Sequence, residues 1–291
     1  MENILKLQDL ICKRGPFQLG PLNWQSAVGI FTCLVGPNGA GKTSFLQAVM
    51  GLLRNEEGYW EIAGAKIDPR RGAWKEQVGY AFDGQSHHEK LTVRENMEIH
   101  AALRRSWDRD FAQELISRFH VDETQLVHRL SRGQRQALSL VKALACRPRL
   151  LLLDEVTNGM DSLVRQAWNE IVWRLMAESE LTVLMATHTM SDVANLADRL
   201  VFLQEGRIVA DVEKDALLET WRQLSCRLPG SLTTLPHAKH WEKSGDTLRF
   251  ISGRAAADMQ LLKEKGATHI ESQPLSLDEI CFYTLEESRH A

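Results

Sequence analysis

The chain of 291 residues has no long hydrophobic run. No stretch approaches the roughly 18 consecutive apolar residues of a membrane-spanning helix, so any membrane role is expected to come through a partner. A basic-then-apolar leader is missing as well: the sequence opens Met1-Glu2-Asn3, and no secretory signal is expected there. Cysteine is scarce. Cys12, Cys33, Cys146, Cys226 and Cys281 are odd in number, widely spaced and form no C-x-x-C pair. That argues against a disulfide framework or a zinc site and suits reduced thiols in the cytoplasm. Charge of one sign is lacking too: 35 Lys and Arg against 38 Asp and Glu leave a formal net charge of −3. Such a balance exerts no general pull on nucleic acid or on an anionic membrane. Internal repeats and low-complexity segments are not evident. Apolar residues at 44% and charged residues at 25% describe an ordinary globular chain and exclude whole-chain disorder. The length suits one large domain, or a large and a small one.

What is there is an alternation of strand and helix signals. Residues 30–35 are a short apolar run ending at Gly36, the mark of a buried strand, and residues 42–53 follow as a helix. Residues 59–62 and 65–67 flank Gly64 as a hairpin, and residues 78–82 form another apolar strand. Residues from about 85 to 145 read as mostly helical. Thr92-Val93-Arg94-Glu95 has capping-box spacing, and Asp108 suits the cap of a helix with Phe111, Leu115, Ile116 and Phe119 on one face. A third helix runs from Gln134 toward Cys146 and stops at Pro148. Then come a strand over 150–153, a helix with Trp168, Ile171, Val172 and Leu175 on one face, a strand over 181–186, a helix over 191–197 and a hairpin turning at Glu205-Gly206. This order predicts an α/β fold with a largely parallel sheet and a helical insertion. Residues 1–215 make one domain in this reading. Residues 216–291 make a small α+β domain, ordered strand, strand, helix, strand, helix, with turns at Pro229-Gly230 and Ser244-Gly245. The eight tryptophans are expected mostly on helix faces, His87 and His88 in an exposed loop, and Arg70, Arg71, Arg147 and Arg149 as solvated charge.

Gly36-Pro37-Asn38-Gly39-Ala40-Gly41-Lys42-Thr43 fits G-x-x-x-x-G-K-[ST] and lies between an expected strand and an expected helix. Glycines let the backbone wrap phosphate oxygens, and the helix start aims amide donors at the same anion. Lys42 is expected on the β- and γ-phosphates, Thr43 on Mg²⁺, and Ser44 beside it in the phosphate-facing turn. The run Leu150-Leu151-Leu152-Leu153 ends in Asp154-Glu155. Ligands of parallel α/β sheets gather at the carboxyl ends of strands, so Asp154 is expected to orient the metal and Glu155 to polarise an attacking water.

Leu130-Ser131-Arg132-Gly133-Gln134 resembles the LSGGQ signature of ATP-binding cassette (ABC) ATPases, and it precedes the acidic pair as it does in that family. Asn158-Gly159-Met160-Asp161 resembles the family's D-loop, His188 its switch histidine, and Val78-Gly79-Tyr80-Ala81-Phe82-Asp83 the approach to its Q-loop. The resemblance spans roughly residues 1–215. It implies a P-loop ABC cassette with a helical signature subdomain over about 85–145. It also implies Mg²⁺-dependent ATP hydrolysis and head-to-tail pairing of two cassettes. ATP on the phosphate loop of one would meet Ser131, Gly133 and Gln134 of the other, near Asp161, with His188 bridging the γ-phosphate and the partner.

Three positions depart from the family pattern. Arg132 replaces a signature glycine and is expected in solvent, with a phosphate contact as the alternative. Asp83 stands where the Q-loop glutamine belongs; Asp83 or Gln85 would serve as the metal and coupling residue. The adenine-stacking aromatic is not obvious: Phe17 is the nearest, with core packing or stacking by Arg14 as alternatives. The C-terminal extension and the short loop before Leu91-Thr92-Val93-Arg94-Glu95-Asn96 resemble bacterial exporter ATPases of the antibiotic-resistance and bacteriocin-immunity type. The expected protein is therefore an ATPase subunit on the cytoplasmic face of the cell membrane, attached through a transmembrane permease subunit. It would work as a homodimer or with a related ATPase chain, and no nucleic acid is expected. A soluble ABC ATPase acting in DNA or translation processes is the alternative reading. It is disfavoured by the single motif set and the absence of a coiled-coil insertion.

Overall fold

The computed structural model describes residues 2–84, 87–227 and 239–290. The chain divides into two compact units, Met1–Val209 and Ala210–Ala291.

The first unit opens with two long strands, β1 (Asn3–Arg14) and β2 (Phe17–Ala27), which pair antiparallel. Then come β3 (Phe31–Val35), α1 (Lys42–Val49), β4 (Arg54–Ile62), β5 (Ala65–Lys66) and β6 (Val78–Phe82). The helical segment holds α2 (Val93–Leu103), α3 (Arg109–Arg118) and α4 (Arg132–Leu144). After it follow β7 (Leu150–Asp154), α5 (Ser162–Ser179), β8 (Thr182–Ala186), α6 (Met190–Leu196), β9 (Arg199–Gln204) and β10 (Arg207–Glu213). These strands make two sheets, a four-stranded one in the order β2-β1-β4-β5 and a six-stranded one in the order β10-β9-β3-β8-β7-β6. Every residue of β3, β7 and β8 is buried, as expected of parallel strands covered on both faces, which read as continuous apolar runs. The pairs β3–β8, β3–β9, β6–β7 and β7–β8 are parallel. One core joins the two sheets through α1, with Leu7, Leu19, Phe45, Leu46 and Trp60 packed against Leu34, Leu152 and Val201.

Local sequence sets the helix starts. Thr92 and Ser131 each form a reciprocal capping box, with Glu95 and Gln134 respectively, and Asp108 caps α3 by accepting from the Phe111 amide. The sequence reading overlooks β1 and β2. Their apolar residues alternate with polar ones, and Gly15, Pro16, Gly20 and Pro21 punctuate the pattern, so no continuous apolar run marks them. The expected placement of tryptophan is corrected as well. Only Trp168 and Trp173 lie within α-helices, whereas Trp24, Trp60 and Trp241 belong to strands.

The second unit holds α7 (Lys214–Thr220), β11 (Arg222–Arg227), β12 (Lys239–Ser244), β13 (Thr247–Ser252), α8 (Ala255–Glu264), β14 (Thr268–Pro274) and α9 (Leu277–His290). Its sheet runs β12-β13-β11-β14 with antiparallel neighbours. Leu224, Cys226, Leu248 and Phe250 of the sheet pack with Ala255 and Leu262 of α8. The Ser244-Gly245 turn joins β12 to β13, while Pro229-Gly230 lies outside the described residues. All five cysteines are buried and free. Among the described residues, no helix is long and apolar enough to cross a membrane.

Candidate active site

The phosphate loop leaves the carboxyl end of β3, at the centre of the parallel sheet. Gly41 takes φ 107°, and a Cβ there would lie 2.9 Å from the Phe17 ring, so glycine is required on both backbone and steric grounds. The loop turns into α1 at Lys42. Lys42 Nζ donates to the carbonyls of Gly36 at 2.7 Å and Pro37 at 3.2 Å, which holds the ammonium inside the loop. Burial pulls its pKa below the usual lysine range, and the nearby Glu155 and Asp154 carboxylates pull it back. A cleft of about 470 Å³ lies over the loop, lined by Arg14, Phe17, Asn38, Lys42, Thr43 and Glu155 among others. Phe17 and Arg14 thus both border the cleft over the phosphate loop.

Asp154 closes β7 in register with Phe82 of β6 and Ala186 of β8. It is 7% exposed, and Thr43 Oγ1 donates to its Oδ1 at 3.1 Å. Burial pushes the Asp154 carboxyl above the usual carboxylate range, while the Thr43 hydrogen bond opposes the shift. A hydroxyl and a carboxylate beside a phosphate loop are hard oxygen donors. They fit Mg²⁺, which takes one or two protein oxygens and completes its shell with phosphates and water. Among the described residues there is no group of three or more His, Cys, Asp or Glu that would cage a metal alone.

Glu155 leaves the strand with φ 56°, a left-handed conformation uncommon for glutamate, and its amide donates to the Ala186 carbonyl at 2.9 Å. Its Oε2 accepts from Asn158 Nδ2 at 2.8 Å and lies 2.7 Å from His188 Nδ1. Thr189 Oγ1 donates to Asn158 Oδ1 at 3.3 Å. Below this, Asp192, 3% exposed, accepts from Thr157 Oγ1 at 2.6 Å and from Arg165 at 2.7 Å, and Arg165 also donates to the Thr157 carbonyl at 3.0 Å. Sequence reasoning missed Thr157, Arg165, Thr189 and Asp192. They belong to no spacing pattern and meet only through the fold. Asn158 was visible as part of a motif but not as a partner of Glu155.

The signature residues stand apart from the phosphate-loop cleft. Ser131 caps α4, with Gln134 N donating to Ser131 Oγ at 3.1 Å and Ser131 N to Gln134 Oε1 at 2.9 Å. Gly133 lies so close to the D-loop that a Cβ would fall 2.9 Å from the Gly159 carbonyl oxygen. Asp161 caps α5 by accepting from the Val164 amide at 2.9 Å. Asp83 N donates to the Asp154 carbonyl at 2.9 Å, and its carboxylate meets Arg132 at 2.6 Å. Arg132 is therefore ion-paired rather than simply solvated. Gln85 lies outside the described residues. His87 is half-buried rather than in an exposed loop. Its Nδ1 lies 2.8 Å from Lys142 Nζ and its Nε2 lies 3.2 Å from Ser139 Oγ. Arg147 is exposed, as expected, and in addition pairs with Asp108 and lies 3.6 Å over the Phe111 ring.

Residues 19–158 match the ABC transporter family. An ABC transporter ATP-binding protein of Bacillus subtilis (strain 168), YdbJ, is 32% identical over 72% of this chain and 70% of its own length. The chain belongs to the ABC transporter ATP-binding proteins. The Nod factor export ATP-binding protein I of Rhizobium meliloti is 30% identical over 78% of this chain and 71% of its own. An Fe(3+) ions import ATP-binding protein of Pseudomonas fluorescens (strain Pf0-1) is 33% identical over 61% of this chain and 53% of its own. The dimeric structure of a bacterial ABC transporter cassette superposes with a TM-score of 0.64 at 24% identity, covering 72% of this chain and 98% of that one, a likeness of fold. This ABC protein is an ATPase with the P-loop cassette fold. Its relatives include both exporters and importers.

Proposed function

We propose that this ABC ATPase powers export through a separate membrane-spanning permease, from the cytoplasmic side, and that it hydrolyses Mg²⁺-ATP between two cassettes. The observation that carries the reading is the half-built site. The cleft over the phosphate loop is lined by Arg14, Phe17, the loop itself and Glu155, and by none of Ser131, Gly133 or Gln134. A γ-phosphate held there is open to a signature helix from a second chain. The positive N-terminus of α4, capped by Ser131, suits that anion.

In this reading Gly36 to Ser44 cradle the phosphates and Phe17 or Arg14 meets the base. Thr43 and Asp154 would hold Mg²⁺, which would supply positive charge to offset that of the phosphates. Asn158 and His188 both engage Glu155 Oε2, which fixes the carboxylate and leaves Oε1 to accept the proton of the attacking water. Water oxygen bonds to the γ-phosphorus as the bond to the β-bridging oxygen breaks, giving ADP and phosphate. Before the bond breaks, His188 would bridge the γ-phosphate and the partner, with Asp161 near the partner.

Export is favoured over import because the Nod factor export relative aligns over 71% of its own length, against 53% for the iron importer. The test is to tag the chain in its own cell, solubilise the membranes gently and identify what co-purifies. A stoichiometric polytopic membrane protein is expected. Recovery only in the soluble fraction, alone or with ribosomes or DNA, would overturn the transporter assignment.

A further inference from the structure

The two clearest departures from the family pattern meet in space. Arg132, in place of a signature glycine, and Asp83, in place of the Q-loop glutamine, are 49 residues apart in sequence, and their side chains lie 2.6 Å apart. Gln136, one turn further along α4, donates to the other Asp83 oxygen, Oδ1. Both carboxylate oxygens of Asp83 are thus held by α4, while its backbone amide is bonded to the Asp154 carbonyl at 2.9 Å. The stem of Arg132 also lies against the D-loop: a Cβ at Gly159 would approach Arg132 Cδ to 3.1 Å. Arg132 therefore touches the end of β6 and the loop that carries Asn158, the donor to Glu155.

We propose that Asp83 is not a metal ligand in this protein but the anchor through which Arg132 and Gln136 fix the signature helix to the metal-site end of the sheet, which makes Arg132 and Asp83 a mutually dependent pair of positioning residues for ATP hydrolysis. Charge accounts for the mutual dependence. A lone arginine in the signature would bring an uncompensated cation beside the signature loop, and a lone aspartate at the Q-loop position would add an uncompensated carboxylate next to the Asp154 end of the sheet, where its own amide is bonded. Paired, each neutralises the other. The pair is part-exposed, with side chains 59% and 36% accessible. An isolated surface pair of that kind is weak, but the Gln136 bond and the backbone tie to Asp154 make a network that holds one geometry.

The inference rests on the signature helix completing a neighbouring ATP site, and the experiment separates the two ideas. Turnover of the wild-type, Arg132→Ala, Asp83→Ala and double variants forms a cycle. Mn²⁺ binding to the same proteins with ADP, followed by its paramagnetic signal, reports metal affinity without turnover. Each single variant is expected to lose about tenfold in kcat, a mid-range coupling for residues in one network, with KM for ATP little changed; the double variant should be no worse than the worse single. Asp83→Asn, which keeps the bond to Gln136, should fall between wild type and Asp83→Ala. The Mn²⁺ midpoint should stay at the wild-type value in all four variants. Multiplying losses in the double variant, or a raised Mn²⁺ midpoint in Asp83→Ala, would overturn the anchor. A wild-type protein without turnover would count instead against the ATPase roles proposed above, and the Mn²⁺ midpoint would still decide between anchor and ligand.

Discussion

Glu155 is held on one oxygen by two donors, Asn158 and His188, so removing its negative charge should alter the chemistry and little else. Glu155→Gln is expected to keep nucleotide binding and to lose at least about a hundredfold in turnover, the range for a general base. Equilibrium binding of ATP beside steady-state phosphate release checks both halves; unchanged turnover would remove Glu155 from the base role. A second prediction concerns protons. His87 and His100 are both pushed down to about 4 from 6.5, first by burial and then by the Lys142 charge. A depressed value in the folded state means that the unfolded chain takes up its protons first. The stability each imidazole contributes is therefore complete above pH 6.5 and is lost as the pH falls through about 4. The thermal midpoint should drop across that window, and His87→Gln should drop less, because its side chain stays neutral. Identical pH profiles for the two proteins would contradict this assignment.

At the scale of elements, the loop that follows Glu155 is set by a largely buried ion pair between two helices. Asp192 of α6 holds Arg165 of α5, and both reach Thr157, two residues after Glu155. Asp192→Ala should cost about 3 kcal/mol, the low end for breaking a buried pair, because Arg165 keeps 28% of its side chain accessible. It should also lower kcat more than it changes KM. Denaturant melts and initial rates measure the two effects, and a loss of stability with unaltered kcat would separate this network from Glu155. The same contrast explains what the sequence revealed. The caps at Thr92 and Asp108 were readable because a cap is a bond across three residues. The phosphate loop and Asp154-Glu155 were readable because backbone chemistry fixes glycine, lysine and carboxylate at set offsets. The bonds of Asp192 to Arg165 and Thr157, the Asp83–Arg132 pair and the Lys142–His87 contact join residues 27 to 55 apart, and no local spacing announces them. β1 escaped notice for a related reason. Its partners are β2 across a punctuated turn and β4 some 50 residues on, as in the pairing of Leu5 with Ile62.

At the scale of the whole molecule, the phosphate-loop cleft is lined by none of Ser131, Gly133 or Gln134, and under the proposed function the complete reaction would take two chains. Both the phosphate loop and the signature helix lie within Met1–Val209, while Ala210–Ala291 is built on its own antiparallel sheet and core. The measurement that bears most directly on this account is the mass in solution of the Glu155→Gln protein with and without Mg²⁺-ATP, by light scattering. A shift on adding ATP from one chain of 33.0 kDa to twice that mass is expected, abolished by Lys42→Ala and weakened by Ser131→Ala. A protein that binds ATP yet stays at the mass of one chain, while the wild type hydrolyses ATP at a specific rate independent of its concentration, would contradict a site shared between two cassettes.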